Sequence, residues 1–293
     1  MRYKADSVDT TLSKQQSDRM SFSGHSARKR FGQHWLRDQS VLQRIIEAAD
    51  LHSNDRVLEV GPGRGALTQR LLEAGVSAVH AIELDRDLVA GLQERFGSHQ
   101  GFSLHQGDVL ETSLQLADGT QANKVVANIP YNITGPLLDR LLGRLNRPVD
   151  PPYQRLVLLL QKEVAQRIRA HPGSSDFSAL SVRMQLLANC HSICHVPPRC
   201  FQPQPKVQSE VISIDPLPRE QRLPPDLAGR VESLLKQAFQ SRRKMLRNTL
   251  ASIAPSDRLK TIADSAKISL EQRPQELPPQ AWVALAKSLN QVD

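Results

Sequence analysis

Three cysteines in 293 residues rule out a disulfide framework, since an odd few cannot pair off. Such sparing use fits a reducing compartment, and a cytoplasmic protein is expected. Long apolar runs are missing too. Nothing approaches the roughly 18 apolar residues that a membrane-spanning helix needs. The opening from Met1 to about Ala27 lacks the apolar stretch of a secretory signal, and Asp6, Asp9 and Asp18 speak against a transit peptide. Residues 1–27 read as a disordered tail, with Met20 as an alternative start. Aromatic residues make up only 4% of the chain, so each well-placed ring carries more information. Acidic residues number 30 against 38 Lys and Arg, and the net charge of +8 favours a polyanionic partner such as nucleic acid.

Cys190-His191-Ser192-Ile193-Cys194-His195, with Cys200 nearby, has the residue types of a metal site. It lies in an expected strand, however, where Cys190 and Cys194 face one way and His191 and His195 the other. The four cannot converge on one ion, and no metal is expected.

From Asp55 to Ile214, apolar runs alternate with helical patterns, the signature of a mostly parallel sheet flanked by helices. Strands are expected at 56–60, 78–82, 102–106, 124–127, 155–160, 190–196 and 207–214. Helices are expected at 41–49, capped by Asp38 or Ser40, and at 67–74, 87–96, 134–145, 162–170 and 179–187. Eight of the nineteen prolines fall between Val196 and Pro225, marking loops and then a linker. Beyond it only helical periodicity remains, at 227–239, 242–253, 256–266 and 279–289. The expected organisation is a tail (1–27), an α/β domain (28–216) and a small all-helical domain (217–293).

The strand Val57–Val60 runs into Gly61-Pro62-Gly63-Arg64-Gly65. Glycines there permit positive φ and close approach of a ligand to the backbone. Many nucleotide enzymes share such a turn, and a tight strand–helix connection needs glycine as well. The next strand ends in Glu83, placed to meet ribose hydroxyls, and the third leads to Gly107-Asp108, where a carboxylate can accept from an adenine amine. Together the three strand ends describe an adenosine site. The fourth strand ends in Asn128-Ile129-Pro130-Tyr131. Proline cannot donate to a ladder, so the strand stops there and Tyr131 turns out of it. A side-chain amide, exposed carbonyls and an aromatic ring then gather at a carboxyl strand end, which suits a flat base bearing an NH2 group. Two basic clusters, Arg28-Lys29-Arg30 and Arg242-Arg243-Lys244 with Arg247, are expected to touch RNA phosphates. Arg243 and Arg247 would share a helix face at i, i+4.

Phe31-Gly32-Gln33-His34-Trp35-Leu36, Glu59 to Gly65, Asn128 to Tyr131 and Phe201-Gln202-Pro203-Gln204-Pro205-Lys206-Val207 occur together. In that set the chain resembles the ribosomal RNA adenine N6-dimethyltransferases, most closely their bacterial small-subunit branch. The resemblance runs from Arg28 to the C-terminus, and Phe239 to Asn248 supports it in the helical region. It implies a Rossmann-like domain binding S-adenosylmethionine through His34, Leu36, Gly61, Glu83, Asp108 and Asn128, with Gln33 to Leu36 folded over the cofactor. His34 stands where many members have Asn, and Ile129 where Leu is common. The catalytic set would be Asn128, Pro130, Tyr131 and Phe201. In it the Asn128 side chain and the Ile129 or Pro130 carbonyl hold the amine, while Tyr131 and Phe201 supply the two stacking faces. The implied substrate is a pair of adjacent adenosines near the 3′ end of small-subunit ribosomal RNA, within an assembling 30S particle, and the implied enzyme is a monomer. The alternatives are a resistance-type methyltransferase of large-subunit RNA and a non-catalytic assembly or transcription factor of the same fold. A nicotinamide dehydrogenase lacks a convincing hydride-transfer acid or base.

Overall fold

Strands buried on both faces read as continuous apolar runs, and Leu58, Val125, Val126, Val157 and Leu158 are fully buried in such runs. The computed structural model describes residues 32–291 except residue 117. The expected tail, Phe31 and the cations Arg28, Lys29 and Arg30 lie outside the described residues.

The chain opens with β1 (Trp35–Leu36), α1 (Gln39–Ala49), β2 (Arg56–Val60), α2 (Ala66–Glu73), β3 (Ala78–Glu83), α3 (Arg86–Phe96), β4 (Phe102–Gln106) and β5 (Lys124–Asn128). It continues through α4 (Thr134–Leu142), β6 (Gly143–Arg144), β7 (Arg147–Pro148), β8 (Arg155–Gln161), α5 (Lys162–Arg169), α6 (Ala179–Leu187) and β9 (Ala188–Val196). Then come β10 (Phe201–Gln202), β11 (Ser209–Pro216), α7 (Pro225–Ala238), α8 (Leu246–Thr249), α9 (Ser256–Ser265) and α10 (Pro279–Gln291).

Seven strands form the central sheet in the order β4-β3-β2-β5-β8-β11-β9. The pairs β2–β3, β3–β4 and β2–β5 are parallel. From β2 the chain moves outward to β3 and β4, then returns to β5 on the opposite side of β2. That reversal opens a crevice at the carboxyl ends of β2 and β5, where open α/β sheets bind ligands. Contacts divide the chain into two units. The first runs to Thr134 and adds Leu156–Leu159 and Val196–Gln208; the second holds Gly135–Arg155, Leu160–His195 and everything from Ser209 on. No described helix is long and apolar enough to cross a membrane.

Local chemistry sets the boundaries. Asp38 caps α1, its Oδ1 accepting from Ser40 N (3.0 Å) and Val41 N (3.1 Å). The helix expected to reach residue 145 stops at Leu142 because Gly143 adopts φ +79° and the chain turns into the β6–β7 hairpin. A Cβ at Gly143 would lie 2.4 Å from the Arg147 carbonyl oxygen, so only glycine fits. The helix expected over 242–253 is reduced to α8. Met245 is extended, and Leu246 N and Arg247 N donate to Gln272 O (2.8 Å) and Leu270 O (2.9 Å) instead of to a preceding helical turn. Tertiary hydrogen bonds here override helical periodicity. Arg243 therefore sits on a turn, and the expected helix face shared with Arg247 does not exist.

One buried acid in the first unit is unusual. Glu59 on β2 accepts from Thr68 Oγ1 of α2 at 2.7 Å, while its Oε1 has no hydrogen-bond partner. Burial pushes its carboxyl up to about 8, with Glu83 adding to the rise and the Thr68 bond opposing it. Glu59 thus keeps its proton at neutral pH. The unfolded chain releases that proton near the ordinary value of 4.5 and the folded chain only near 8, so stability falls as pH rises through this window. The slope from one such group is at most about 1.4 kcal/mol per pH unit. Glu59→Gln should flatten the curve, gaining on wild type towards pH 8. Denaturant titrations at several pH values check this, and an unchanged slope would clear Glu59 of the effect.

Candidate active site

At the carboxyl end of β2 the chain enters Gly61-Pro62-Gly63-Arg64-Gly65, whose three glycines have φ of +65°, +60° and +77°. A Cβ on Gly63 would stand 2.8 Å from Trp35 Cδ1, so the segment carrying β1 lies directly against this loop. The Arg64 guanidinium lies over the Trp35 ring, 4.0 Å from its centroid. Register brings the neighbouring strand ends level: Val60 pairs with Ile82, and Glu83 with Gln106.

Glu83, at the end of β3, ties the loop down. Its Oε2 accepts from Gly63 N (3.0 Å) and its Oε1 from Asp85 N (2.9 Å). Burial raises its carboxyl above the usual range, opposed by these two N–H groups. After β4, Asp108 Oδ1 accepts from Leu110 N at 2.8 Å and closes a turn, leaving Oδ2 for a ligand.

At the end of β5, Asn128 Nδ2 donates to the His34 carbonyl at 3.0 Å. A carbonyl oxygen can only accept, so the amide nitrogen must face His34 and Oδ1 remains as the acceptor. Ile129 N donates to Leu159 O (3.1 Å), the last ladder bond of the strand. Pro130 then ends it, and Tyr131 opens a 3₁₀ turn over Tyr131–Ile133 in which Ile133 N donates to the Pro130 carbonyl (3.2 Å). The imidazole of His34 stacks on the Tyr131 ring, with centroids 5.7 Å apart and planes inclined by 25°. His34 Nδ1 lies 2.8 Å from the Pro203 carbonyl oxygen, so it carries a proton.

These groups surround a cavity of about 310 Å³. The structure gathers His34, Gly61, Glu83, Asp108, Asn128, Pro130 and Tyr131 around it. Leu36 and Phe201 stand apart. They pair with each other across β1 and β10, are 5% and 2% exposed, and do not line the cavity. As placed, Phe201 is a packing residue rather than an open stacking face. Gln33 and Trp35, in the segment the resemblance places over the cofactor, line the cavity, whereas sequence reasoning missed the apolar wall of Leu84 and Val109. Leu84 is 47% exposed, an apolar side chain left at the cavity rather than in the core. Its position directly after an acidic strand end was the signal available. Loop backbone, Glu83, the Asp108 oxygen and this wall suit the ribose and the flat ring of an adenosyl group.

The cations of the second unit are exposed on and beside the turn after α7. Arg242 donates to Ser175 O (2.8 Å) and Arg247 pairs with Glu271 (3.5 Å), while Arg243 and Lys244 project from the turn. Cys190 is half-buried and Cys194 and Cys200 are buried, and no described cluster of His, Cys, Asp and Glu could hold a metal.

Known proteins resemble this arrangement along nearly the whole chain. Residues 24–291 match the family model described as ribosomal RNA adenine dimethylase. A Synechococcus sp. (strain CC9605) protein named ribosomal RNA small subunit methyltransferase A is 76% identical over 274 residues, spanning 94% of this chain and all of its own. A protein of the same name from Prochlorococcus marinus (strain MIT 9303) is 69% identical, spanning 94% and 98%. Among solved structures, a dimethyladenosine transferase from Plasmodium falciparum superposes with TM-score 0.76 at 25% identity, covering 88% of this chain and 98% of its own. The 23S rRNA methyltransferase ErmE gives 0.69 at 26% identity, covering 87% and 99%. With the family model matching nearly end to end and relatives above two-thirds identity, the chain belongs to the ribosomal RNA adenine dimethylase family.

Proposed function

We propose that this enzyme transfers methyl groups from S-adenosylmethionine to the N6 amines of two adjacent adenosines near the 3′ end of small-subunit ribosomal RNA. The product is N6,N6-dimethyladenosine, made in the cytoplasm by a monomer acting on an assembling small subunit. The relatives named as small-subunit methyltransferases support the substrate class. The observation that carries the chemistry is the orientation of Asn128, whose Nδ2 is spent on the His34 carbonyl so that Oδ1 is offered to a substrate.

When bound, S-adenosylmethionine supplies an electrophilic methyl group on a sulfonium. The residues that would hold it are Gly61 through its backbone, Glu83 at the ribose, Asp108 at the adenine amine, Asn128, and the main chain at His34, whose segment is anchored by the pairing of buried Leu36 with Phe201. An adenine N6 is a poor nucleophile because its lone pair is delocalised into the ring. Asn128 Oδ1 and one backbone carbonyl can accept its two N–H groups and favour a pyramidal nitrogen, which localises the lone pair. The Pro130 carbonyl already closes the following turn, so the Ile129 carbonyl is the better placed partner. Both acceptors strengthen as positive charge develops on the nitrogen, and a bond stronger in the transition state is what raises a rate. No general base is required, since the methylated ammonium readily gives its proton to water. Tyr131 stacks on the base and holds it out of the RNA stack. The helical segment 217–293 with its basic turn, and Arg28, Lys29 and Arg30, contact phosphates and set position rather than sequence.

Asn128→Ala should lower methyl transfer by about two orders of magnitude or more, the scale of losing one preorganised polar group. Cofactor binding should stay measurable by calorimetry. Labelled-methyl transfer to under-methylated small subunits, followed by nucleoside analysis, tests this. Turnover near wild type would sink the mechanism, and monomethyladenosine alone would sink the dimethyl product. Reversing both exposed turn cations, Arg243→Glu with Lys244→Glu, should weaken RNA binding. The slope of log affinity against log salt should become shallower by about 0.7–0.9 for each phosphate that is no longer neutralised. An unchanged slope would mean that this turn is merely solvated.

A further inference from the structure

Trp35 lines the cavity, but the cations gathered around it, Arg37, Arg64 and Arg70, do not. Arg37 leads from β1 into α1, Arg64 sits in the glycine loop, and Arg70 stands on α2. We propose that these three arginines form a phosphate site, outside the cavity, on which the backbone of the substrate RNA lies as its adenosine enters. The proposal rests on the reading of the cavity as a site for an RNA adenosine.

The first support is that neutral oxygens, not acids, hold these cations. Arg70 Nη2 donates to Gln39 Oε1 (2.7 Å), and Gln39 Nε2 donates in turn to the Arg37 carbonyl (3.3 Å). One glutamine thus ties Arg70 to the Arg37 main chain and adds no charge. The Arg64 carbonyl accepts from Arg95 Nη1 (3.2 Å). Among the described residues, neither Arg37 nor Arg70 has a carboxylate partner.

Second, the acids on the same elements are committed elsewhere. Asp38 follows Arg37 directly, yet its Oδ1 accepts from Ser40 N and Val41 N and its Oδ2 from Cys200 Sγ (3.3 Å). Glu73, at the end of α2, accepts from Gln69 Nε2 (2.8 Å). Other part-buried arginines of this chain are paired, as Arg155 is with Asp215 (2.7 Å) and Arg183 with Asp139 (3.2 Å) and Glu232 (3.3 Å).

Third, the charges act on one another. Burial, and then the Arg37 charge, push the half-buried Arg64 guanidinium below its ordinary value. A phosphate placed between such cations would relieve their repulsion, and the guanidinium fork matches its oxygens. Fourth, the patch adjoins the cavity. The ring of Trp35 lines the cavity and also carries Arg64, 4.0 Å from its centroid. Arg37 N donates to Cys200 O (2.9 Å), which fixes the main chain beneath an exposed side chain. RNA carries a phosphate with every nucleotide, so the neighbours of a base entering the cavity need cations beside it.

The test compares wild type with two double variants of the full-length enzyme, Arg37→Gln with Arg70→Gln and Arg37→Lys with Arg70→Lys. Arg64 is left intact because it belongs to the loop that would hold the cofactor. Binding to under-methylated small subunits and to protein-free small-subunit RNA is measured over a range of salt, with calorimetry of S-adenosylmethionine alongside. The Gln pair should lower affinity for both RNAs by about tenfold or more at about 0.1 M salt. Its slope of log affinity against log salt should be shallower by about 1.4–1.8, from about 0.7–0.9 for each lost charge. The Lys pair keeps both charges and should keep the wild-type slope, and neither pair should change cofactor affinity. An unchanged slope in the Gln pair would overturn the proposal and leave a merely solvated face. So would a slope lost equally in the Lys pair, or a loss of cofactor affinity that explains the defect. A change seen with subunits and absent with protein-free RNA would overturn it too, assigning the patch to an acidic protein partner. Wild-type enzyme that left subunit adenosines unmethylated would sink the adenosine reading and this site with it. Methylation with an unchanged slope would sink the phosphate site alone.

Discussion

A primary amide has a donor end and an acceptor end of almost the same shape, and only the acceptor end can hold an adenine amine. In solution Asn128 would offer both. The His34 carbonyl removes the ambiguity, because it can bond only to Nδ2 and so turns Oδ1 outward. That single bond depends on much else. His34 must lie on a segment that crosses the end of β5, which requires the left-handed turn at Gly32 and the pairing of Leu36 with Phe201. The burial of those two apolar residues, which removes both from the cavity, is what anchors the segment.

The cofactor half of the cavity is built on a similar economy of parts. Glu83 has two oxygens, and both accept backbone N–H groups, one from the glycine loop and one from the start of the α3 turn. The carboxylate thus shapes the loop before any ribose arrives, and a hydroxyl can still find a remaining lone pair. Beneath it, Glu59 is held neutral by burial. Were both acids ionised behind the same loop, their mutual repulsion in a low dielectric would work against the fold. With Glu59 neutral, no second charge stands behind the loop, and both Glu83 oxygens accept from backbone N–H groups.

How much of this was legible in the sequence follows the range of the interactions involved. The glycine loop, the strand ends at Glu83 and Asp108, and the strand-stopping Asn128–Tyr131 are local features, and they stand where expected. The misplacements are all long-range. The resemblance implied that Phe201 supplies a stacking face, yet in the two-residue strand paired with Trp35 and Leu36 it is buried and off the cavity. Helical periodicity over 242–253 gave way to main-chain bonds from Leu246 and Arg247 to residues some two dozen positions later. The apolar wall at Leu84 carries no sequence mark beyond following an acid. The substrate class came from the joint motif set, and relatives of high identity matched over nearly their whole length bear it out.

The chemistry of the cavity also limits what it can select. Two acceptors and an aromatic face recognise a planar base with an exocyclic amine, which describes cytosine as well as adenine. Phosphate contacts, as proposed for the Arg243-Lys244 turn, would fix a position on RNA but carry no sequence information. Neither element, alone or together, distinguishes two particular adenosines from the many others in a ribosomal RNA. RNA recognition relies on shape and on unstacked single strands. The choice of target therefore has to come from which nucleotides the folded RNA leaves free to flip. An enzyme of this kind needs a structured substrate to be specific, and its cavity needs only to be exact about the amine.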